Sequence, residues 1–265
     1  MGKYRVPNPL RAVLAGIPDL RWLRGRLPDA PVHPQPSGRS RSREREKRVR
    51  AEWEALRAQL APAAAEHVTR VGELLADPRT EFTPDPGQSA VRRDYLAATE
   101  AYQAAGKLLD EAQDLPDLAA CVVLADRAVE LFVAARARHL GQRPPVPRPR
   151  CFYNPLHGAA AEPPRDRGVR KGRRVVAREA AAARRPACEP CRLALVAGEA
   201  PDVLPALWTV RDERDRPVTL LVPYYALPRQ SSIWAGTACG AYDAAAAARV
   251  LRGEHRRRTV GRPAG

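Results

Sequence analysis

Four metal-binding side chains gather in one stretch of this chain. Five residues separate Cys151 from His157 in CFYNPLHG (151–158), two separate Cys188 from Cys191 in ACEPCR (187–192), and thirty lie between His157 and Cys188. Zn²⁺ takes four nitrogen or sulfur donors in a tetrahedron, and three thiols with one imidazole are such a set. If all four meet at one ion, the intervening chain must fold back on itself. No other feature constrains the fold of the C-terminal half as tightly.

The local sequence suits that convergence. Asn154-Pro155 is turn-forming, so CFYNPLH can bring Cys151 and His157 to one point. Cys188 and Cys191 flank Glu189-Pro190, and RLALVAGEA (192–200) has helix-forming composition with Gly198 as its stop. Cys191 then falls in a helix first turn, where the dipole favours thiolate. Arg184, Arg185 and Arg192 are expected to offset the negative charge of three thiolates. A two-ligand turn, a β-hairpin through RVVAR (174–178) and a helix carrying two ligands make the plan of a treble-clef finger; EAAAARR (179–185) can equally be helical. A short all-protein site of this kind is closed and structural, the metal standing in for a core too small to hold itself.

Three rival readings are weaker. A redox Cys-x-x-Cys needs a βαβ setting that is missing here. A catalytic zinc needs an acid or base beside it, and Glu189 between the thiols is poorly placed. An HNH nuclease needs a second catalytic histidine, for which only the distant His255 remains.

Residues 1–42 read as a basic amphipathic or disordered arm and linker, with Leu10, Val13, Leu14 and Ile17 on one face of 10–27 and a Pro/Ser-rich stretch at 28–42. Such a segment can lie on an anionic membrane, but Pro18 breaks the helix and disfavours a membrane surface as partner. Residues 43–140 read as a helical bundle. Val49, Trp53, Leu56 and Leu60 open it, and Pro62 is expected to kink or restart the helix. Val91, Tyr95, Ala98, Tyr102, Ala105, Leu109 and Ala112 follow a 4-3 repeat that faces a partner helix. Asp114 caps the next helix, with Pro116 in its first turn and Leu118, Val122, Ala125, Val129 and Phe132 as its stripe. Short connections make this an antiparallel hairpin or three-helix bundle. Cys121 is expected as a small core residue. His67 and His139, which have no partner at ligand spacing, are expected as packing or surface residues.

A Pro/Arg linker at 141–150 precedes a zinc-binding module at 151–243, and 244–265 forms a short helix and a basic tail. VTLLVPYYAL (218–227) is strand-like. Tyr224, Tyr225, Trp234 and Tyr242 supply the core the small module lacks, or stack on bases. Cys239 lies between Gly236 and Gly240, which points to a tight loop rather than a fifth ligand. The expected class is therefore α+β, a helical bundle followed by a small treble-clef-like module.

The segments CFYNPLHG, ACEPCR, PDVL (201–204) and VPYYALPRQSSIWAGTACG (222–240) resemble a group of uncharacterised actinobacterial proteins. These join an Ala-rich helical segment to a C-terminal CFxNPLHG…CxxC module. The resemblance spans about residues 90–243 and implies a zinc-ribbon-like or treble-clef-like module, with no activity attached.

The formal charge of +15 attracts nucleic acid, anionic lipid or acidic proteins. Only four of the 45 basic residues are lysine, and abundant Ala, Pro and Gly fit a GC-rich coding bias, so both sources of the charge stay open. AVLAGI (12–17) is too short for a signal peptide and no run reaches the ~20 apolar residues of a membrane span. A reducing cytoplasm is expected, where paired thiols bind metal. Paired carboxylates, a Ser/His/Asp set, a phosphate loop and a dinucleotide fingerprint are all missing. The expectation is a non-enzymatic protein with a structural Zn²⁺. It binds a protein partner or itself through the helices. The alternative is a basic nucleic-acid-binding protein.

Overall fold

The computed structural model describes residues 38–77, 82–85, 87–161, 185–211 and 215–256. The N-terminal arm before residue 38, the RVVAR hairpin with most of EAAAARR, Arg184 and the last residues of the basic tail lie outside them.

Three helices carry the fold: α1 (Gly38–Leu75), α2 (Ser89–Glu111) and α3 (Leu115–His139). Helix α1 buries Leu56, Ala64, Val68 and Val71 at steps of eight, four and three, which keeps one stripe inward. It does not break at Pro62, which sits inside it. Helices α2 and α3 form an antiparallel hairpin. The start of α2 meets the end of α3 through the Asp94–Arg138 ion pair and through Gln88 with His139. The Cys121 thiol donates to the Ala105 carbonyl farther along. Helix α1 runs alongside α3 in the same direction: Trp53 reaches Asp114 and His67 reaches Asp126. The arrangement is a three-helix bundle.

The buried face of α2 differs from the expected stripe by one position in every other step. Val91, Ala98, Ala105 and Ala112 are buried as expected, but Asp94, Ala101 and Leu108 share the interior in place of Tyr95, Tyr102 and Leu109 of the 4-3 repeat. The reason is that α2 is covered on two sides. Helix α3 packs on one, and α5 (Ala246–Leu251) packs on the other. The flanking tyrosines then lie at the seams. Helix α3 is buried all round from Leu115 to Ala125, the mark of a central helix.

The C-terminal part contributes to the same interior. Leu156, Leu204, Ala206, Tyr224, Trp234, Cys239, Ala246, Ala247 and Val250 join the helical residues in one hydrophobic cluster. An antiparallel hairpin, β1 (Pro205–Arg211) and β2 (Pro217–Pro223), pairs Pro205 with Pro223 and Arg211 with Pro217. It lies against α1, where the Thr219 hydroxyl donates to Glu46 at 3.2 Å. Helix α5 is tied to the end of α2 by Lys107, whose ammonium donates to the Leu251 carbonyl at 2.6 Å. His255, expected in a basic tail, is buried and bonded to Glu111, which Arg256 also pairs. No helix among the described residues is long and apolar enough to cross a membrane.

The first turn of α3 is the polar centre of this core. Asp114 caps the helix and Asp117 answers from the third position, the expected cap completed as a reciprocal box. Both carboxylates are about 1% exposed. Asp114 accepts from Leu115 N at 2.8 Å, the Trp53 indole at 2.6 Å and Leu207 N of β1 at 3.0 Å. Asp117 accepts from Gln113 N and Asp114 N, each at 2.9 Å, and from the Trp234 indole at 2.7 Å. Each indole thus finds the polar partner a buried Trp needs.

Candidate metal centre

Backbone hydrogen bonds build the first half of the site. Cys151 N donates to Gly158 O at 2.9 Å and Arg150 pairs with Ala159, closing a loop over 150–159. Within it, the Asn154 side chain caps a single 3₁₀ turn (Pro155–His157) by accepting from Leu156 N. The chain leaves the turn through Gly158 at φ 80°, a left-handed conformation that favours glycine. Asn154-Pro155 therefore folds the segment back as its sequence indicates.

The second half is the start of α4 (Glu189–Ala197). Cys188 is its cap residue and Cys191 lies in its first turn; Gly198 ends it at φ 79°. Two bonds clamp the halves together: Phe152 N to Pro186 O at 2.7 Å and Ala161 N to Ala187 O at 2.9 Å.

The ligand atoms of Cys151, His157, Cys188 and Cys191 all lie within 4.8 Å of one another. His157 Nδ1 is 3.3 Å from Cys188 Sγ and 3.4 Å from Cys191 Sγ. A tetrahedron with bonds of about 2.0–2.3 Å has edges of about 3.5 Å, so these separations suit one ion at the centre. The three cysteines are buried, and His157 shows only a small edge to solvent. The set can hold a metal ion.

His157 faces the thiols with Nδ1 and turns Nε2 to Asp202 Oδ2 at 3.2 Å. A carboxylate on the far ring nitrogen fixes the tautomer and aims the lone pair of the other. Asp202 comes from the PDVL segment after α4; no ligand-spacing rule points to it. Its carbonyl also lies 3.6 Å from Cys191 Sγ.

The protonation of the four groups is strongly coupled. Cys151 is held far below the ordinary thiol range by hydrogen bonds from Cys188 and Cys191, with His157 and the Asn154 backbone N–H adding to them against burial. Cys191 is pushed up by its hydrogen bonds with Cys151 and Cys188 and by burial. Burial alone would lower His157, but Asp202, Cys151 and Cys188 outweigh it and raise the imidazole to about 11. Binding a divalent ion here displaces these protons, because ligands must be thiolate and neutral imidazole.

The expected arginine setting is only partly realised. Arg192 forms an ion pair with Glu189 on the helix surface. Arg185 instead lies over the ring of Phe152, 4.1 Å from its centre, and 5.4 Å from that of Tyr225. Phe152, Tyr153, Tyr224 and Tyr225 form a ring cluster against the Cys151 loop, with centroids 5.4–6.0 Å apart. Tyr224 is fully buried and its hydroxyl donates to the Phe152 carbonyl. Tyr224 and Trp234 are therefore core residues, closed to base stacking.

The remaining sequence candidates stand apart. Cys121 and Cys239 lie in the helical core, where burial pushes the Cys121 thiol up to about 12 and raises Cys239 as well. Cys239 sits in the tight loop its glycine neighbours suggest, at φ 52°. His67 bonds Asp126 and His139 bonds Gln88, so neither joins the cluster.

No protein family, curated protein or solved structure matches this chain.

Proposed function

We propose that this chain is a non-enzymatic interaction protein whose C-terminal segments are held by one structural Zn²⁺ at Cys151, His157, Cys188 and Cys191, in a treble-clef-like arrangement. The supporting observation is the ligand geometry: three buried thiols around His157 Nδ1, with Nε2 held by Asp202. Zinc fits better than harder ions such as Mg²⁺ or Ca²⁺ because thiolates favour softer ions, and three Cys with one His is a standard structural zinc set. Four protein ligands fill that tetrahedron and leave no open position for a substrate, which favours a structural role over a catalytic one. The site lies where the C-terminal segments join the helical core. The ion then maintains one surface made of helices and finger, and Leu96 and Leu140, exposed at 60% and 57%, give the helical side apolar contacts for a protein partner or a second copy.

The test is metal analysis of purified protein. The expected result is about one Zn²⁺ per chain, lost in Cys188→Ser; full zinc retention in that variant rules out the site. A second reading, nucleic-acid binding, draws on the net charge of +15. It predicts affinity for RNA or DNA that falls steeply with salt.

A further inference from the structure

The segment between α3 and the metal-binding loop reads RPPVPRPR over 143–150. Proline fixes its own φ at about −65° and pushes the residue before it into extended backbone. Pro144, Pro145, Pro147 and Pro149 are such prolines, and Arg143, Val146 and Arg148 precede them. Every residue from 143 to 149 is thereby directed to polyproline II, a helix with three residues per turn and no internal hydrogen bonds. The segment is neither helix nor strand, and among the described residues 143–148 form no backbone hydrogen bond. Both ends are pinned. Gln142 N donates to Ala137 O at 2.7 Å, and Arg150 pairs with Ala159 while its guanidinium holds Asp126 at 2.5 Å.

The two sides of this strap differ. Pro144, Pro145, Pro147, Arg148 and Arg150 line a cavity of about 370 Å³ against α3, whereas Arg143, Val146 and Pro149 do not. With three residues per turn, positions 143, 146 and 149 share one edge. All three are exposed, and Val146 at 76% is the most exposed large apolar side chain among the described residues. It does not stand alone, because Pro145, Pro147 and Pro149 beside it are exposed too. The strap thus presents an apolar ridge with unbonded carbonyls on a stiff backbone.

Segments of this kind dock in grooves lined with aromatic rings, which pack on the ridge while indole or phenol groups donate to the carbonyls. The strap is ordered before it binds, so little conformational entropy is lost. Arg143 has no ion pair among the described residues, and its charge on the outer edge calls for a carboxylate beside the groove.

We infer that residues 143–149 are the docking ligand for a protein domain with an aromatic-lined groove bordered by carboxylates, read through the edge of Arg143, Val146 and Pro149. This surface is separate from the helix contacts proposed above and does not depend on the metal.

NMR titration of the full chain into nitrogen-15-labelled SH3 and WW domains that carry carboxylates beside the groove tests the inference. Saturable shifts confined to the aromatic groove of at least one domain are expected. Val146→Asp and Arg143→Glu should each weaken that binding roughly tenfold or more. Leu96→Asp, which alters the helix contact, should leave it unchanged. Positions 143 and 146 are exposed, so both variants keep the fold, and their metal content should match that of the native chain. Three results would each overturn the inference: no saturable shift in any domain, undiminished binding by Val146→Asp, or equal loss in Leu96→Asp. Binding of a single-stranded RNA oligomer with no domain bound would assign the strap to nucleic acid instead.

Discussion

Two polar centres hold this molecule together, and they solve the same problem differently. Each sits at the first turn of a helix and each gathers distant segments. The turn of α3 joins Trp53, Leu207 and Trp234 through Asp114 and Asp117. The turn of α4 joins Cys151, His157 and Asp202 to Cys188 and Cys191. At α3, at least six N–H donors and the helix dipole meet two carboxylates, and every donor belongs to the chain. At α4, three thiols and an imidazole face one another, and only protons or a cation can reconcile them. The first centre is self-sufficient; the second depends on solution conditions.

Metal removal should separate the two most sharply. With a chelator present, amide protection in 151–161 and 187–204 is expected to fall by roughly 10³-fold or more, while the inward amides of α2 and α3 keep theirs. Hydrogen exchange read by mass spectrometry checks this; uniform loss would merge the two centres into one.

Asp117→Ala should act in the opposite manner. It strands the Trp234 indole and two backbone N–H groups in the core, at a cost of about 3 kcal/mol. Urea unfolding should give the same loss with and without chelator.

Base should separate the metal-free α4 centre from the metal-loaded one. In metal-free protein His157 titrates at about 11 instead of 6.5, so its stabilisation is present below 6.5 and lost as pH rises toward 11. The depressed Cys151 thiol, ordinarily at 9.0, offsets that loss below about 9. Cys191, whose thiol is pushed up, adds its own loss above 9, so metal-free protein loses stability from about 9 upward, by at least about 1 kcal/mol per pH unit. Both forms lose stability on the acid side, the metal-free one as Cys151 regains its proton and the zinc-loaded one as protons compete for the ligands, so the alkaline loss is what separates them. Unfolding curves at pH 5, 8 and 10.5, with and without chelator, show whether the slopes have these signs.

The smallest effect concerns orientation. Asp202→Asn keeps a hydrogen-bond partner for His157 Nε2 but removes the charge behind it. Zinc affinity is expected to drop about 10- to 100-fold in a competition titration, with the Asp114 and Asp117 centre untouched.

What was legible in the sequence was local. Asn154-Pro155, Pro190 and Gly198 mark turns, a helix start and a helix stop by their own backbone preferences, and they place all four candidate ligands. Asp114 announces itself as a cap for the same reason. What escaped depends on contacts between distant positions. Asp202 meets His157 across 45 residues, and the offset in the α2 stripe reflects a second neighbour, α5. Pro62 signals a break, but α1 runs through it. Ala64, Val68 and Val71 beyond the proline are buried in the same core as Leu56 before it, and that packing outweighs one lost backbone bond.

The pairing of Asp117 with Trp234 spans 117 residues, and that distance sets an order of events during synthesis. The three helices leave the ribosome first, carrying two carboxylates that will be buried. At about 5–20 residues per second, roughly 10 s pass before the indole that completes the pair is made. Over that interval the nascent bundle has an open, hydrated end at α3. Its closure waits for β1 and the Trp234 loop, so the last third of the chain acts as the lock on the part made first.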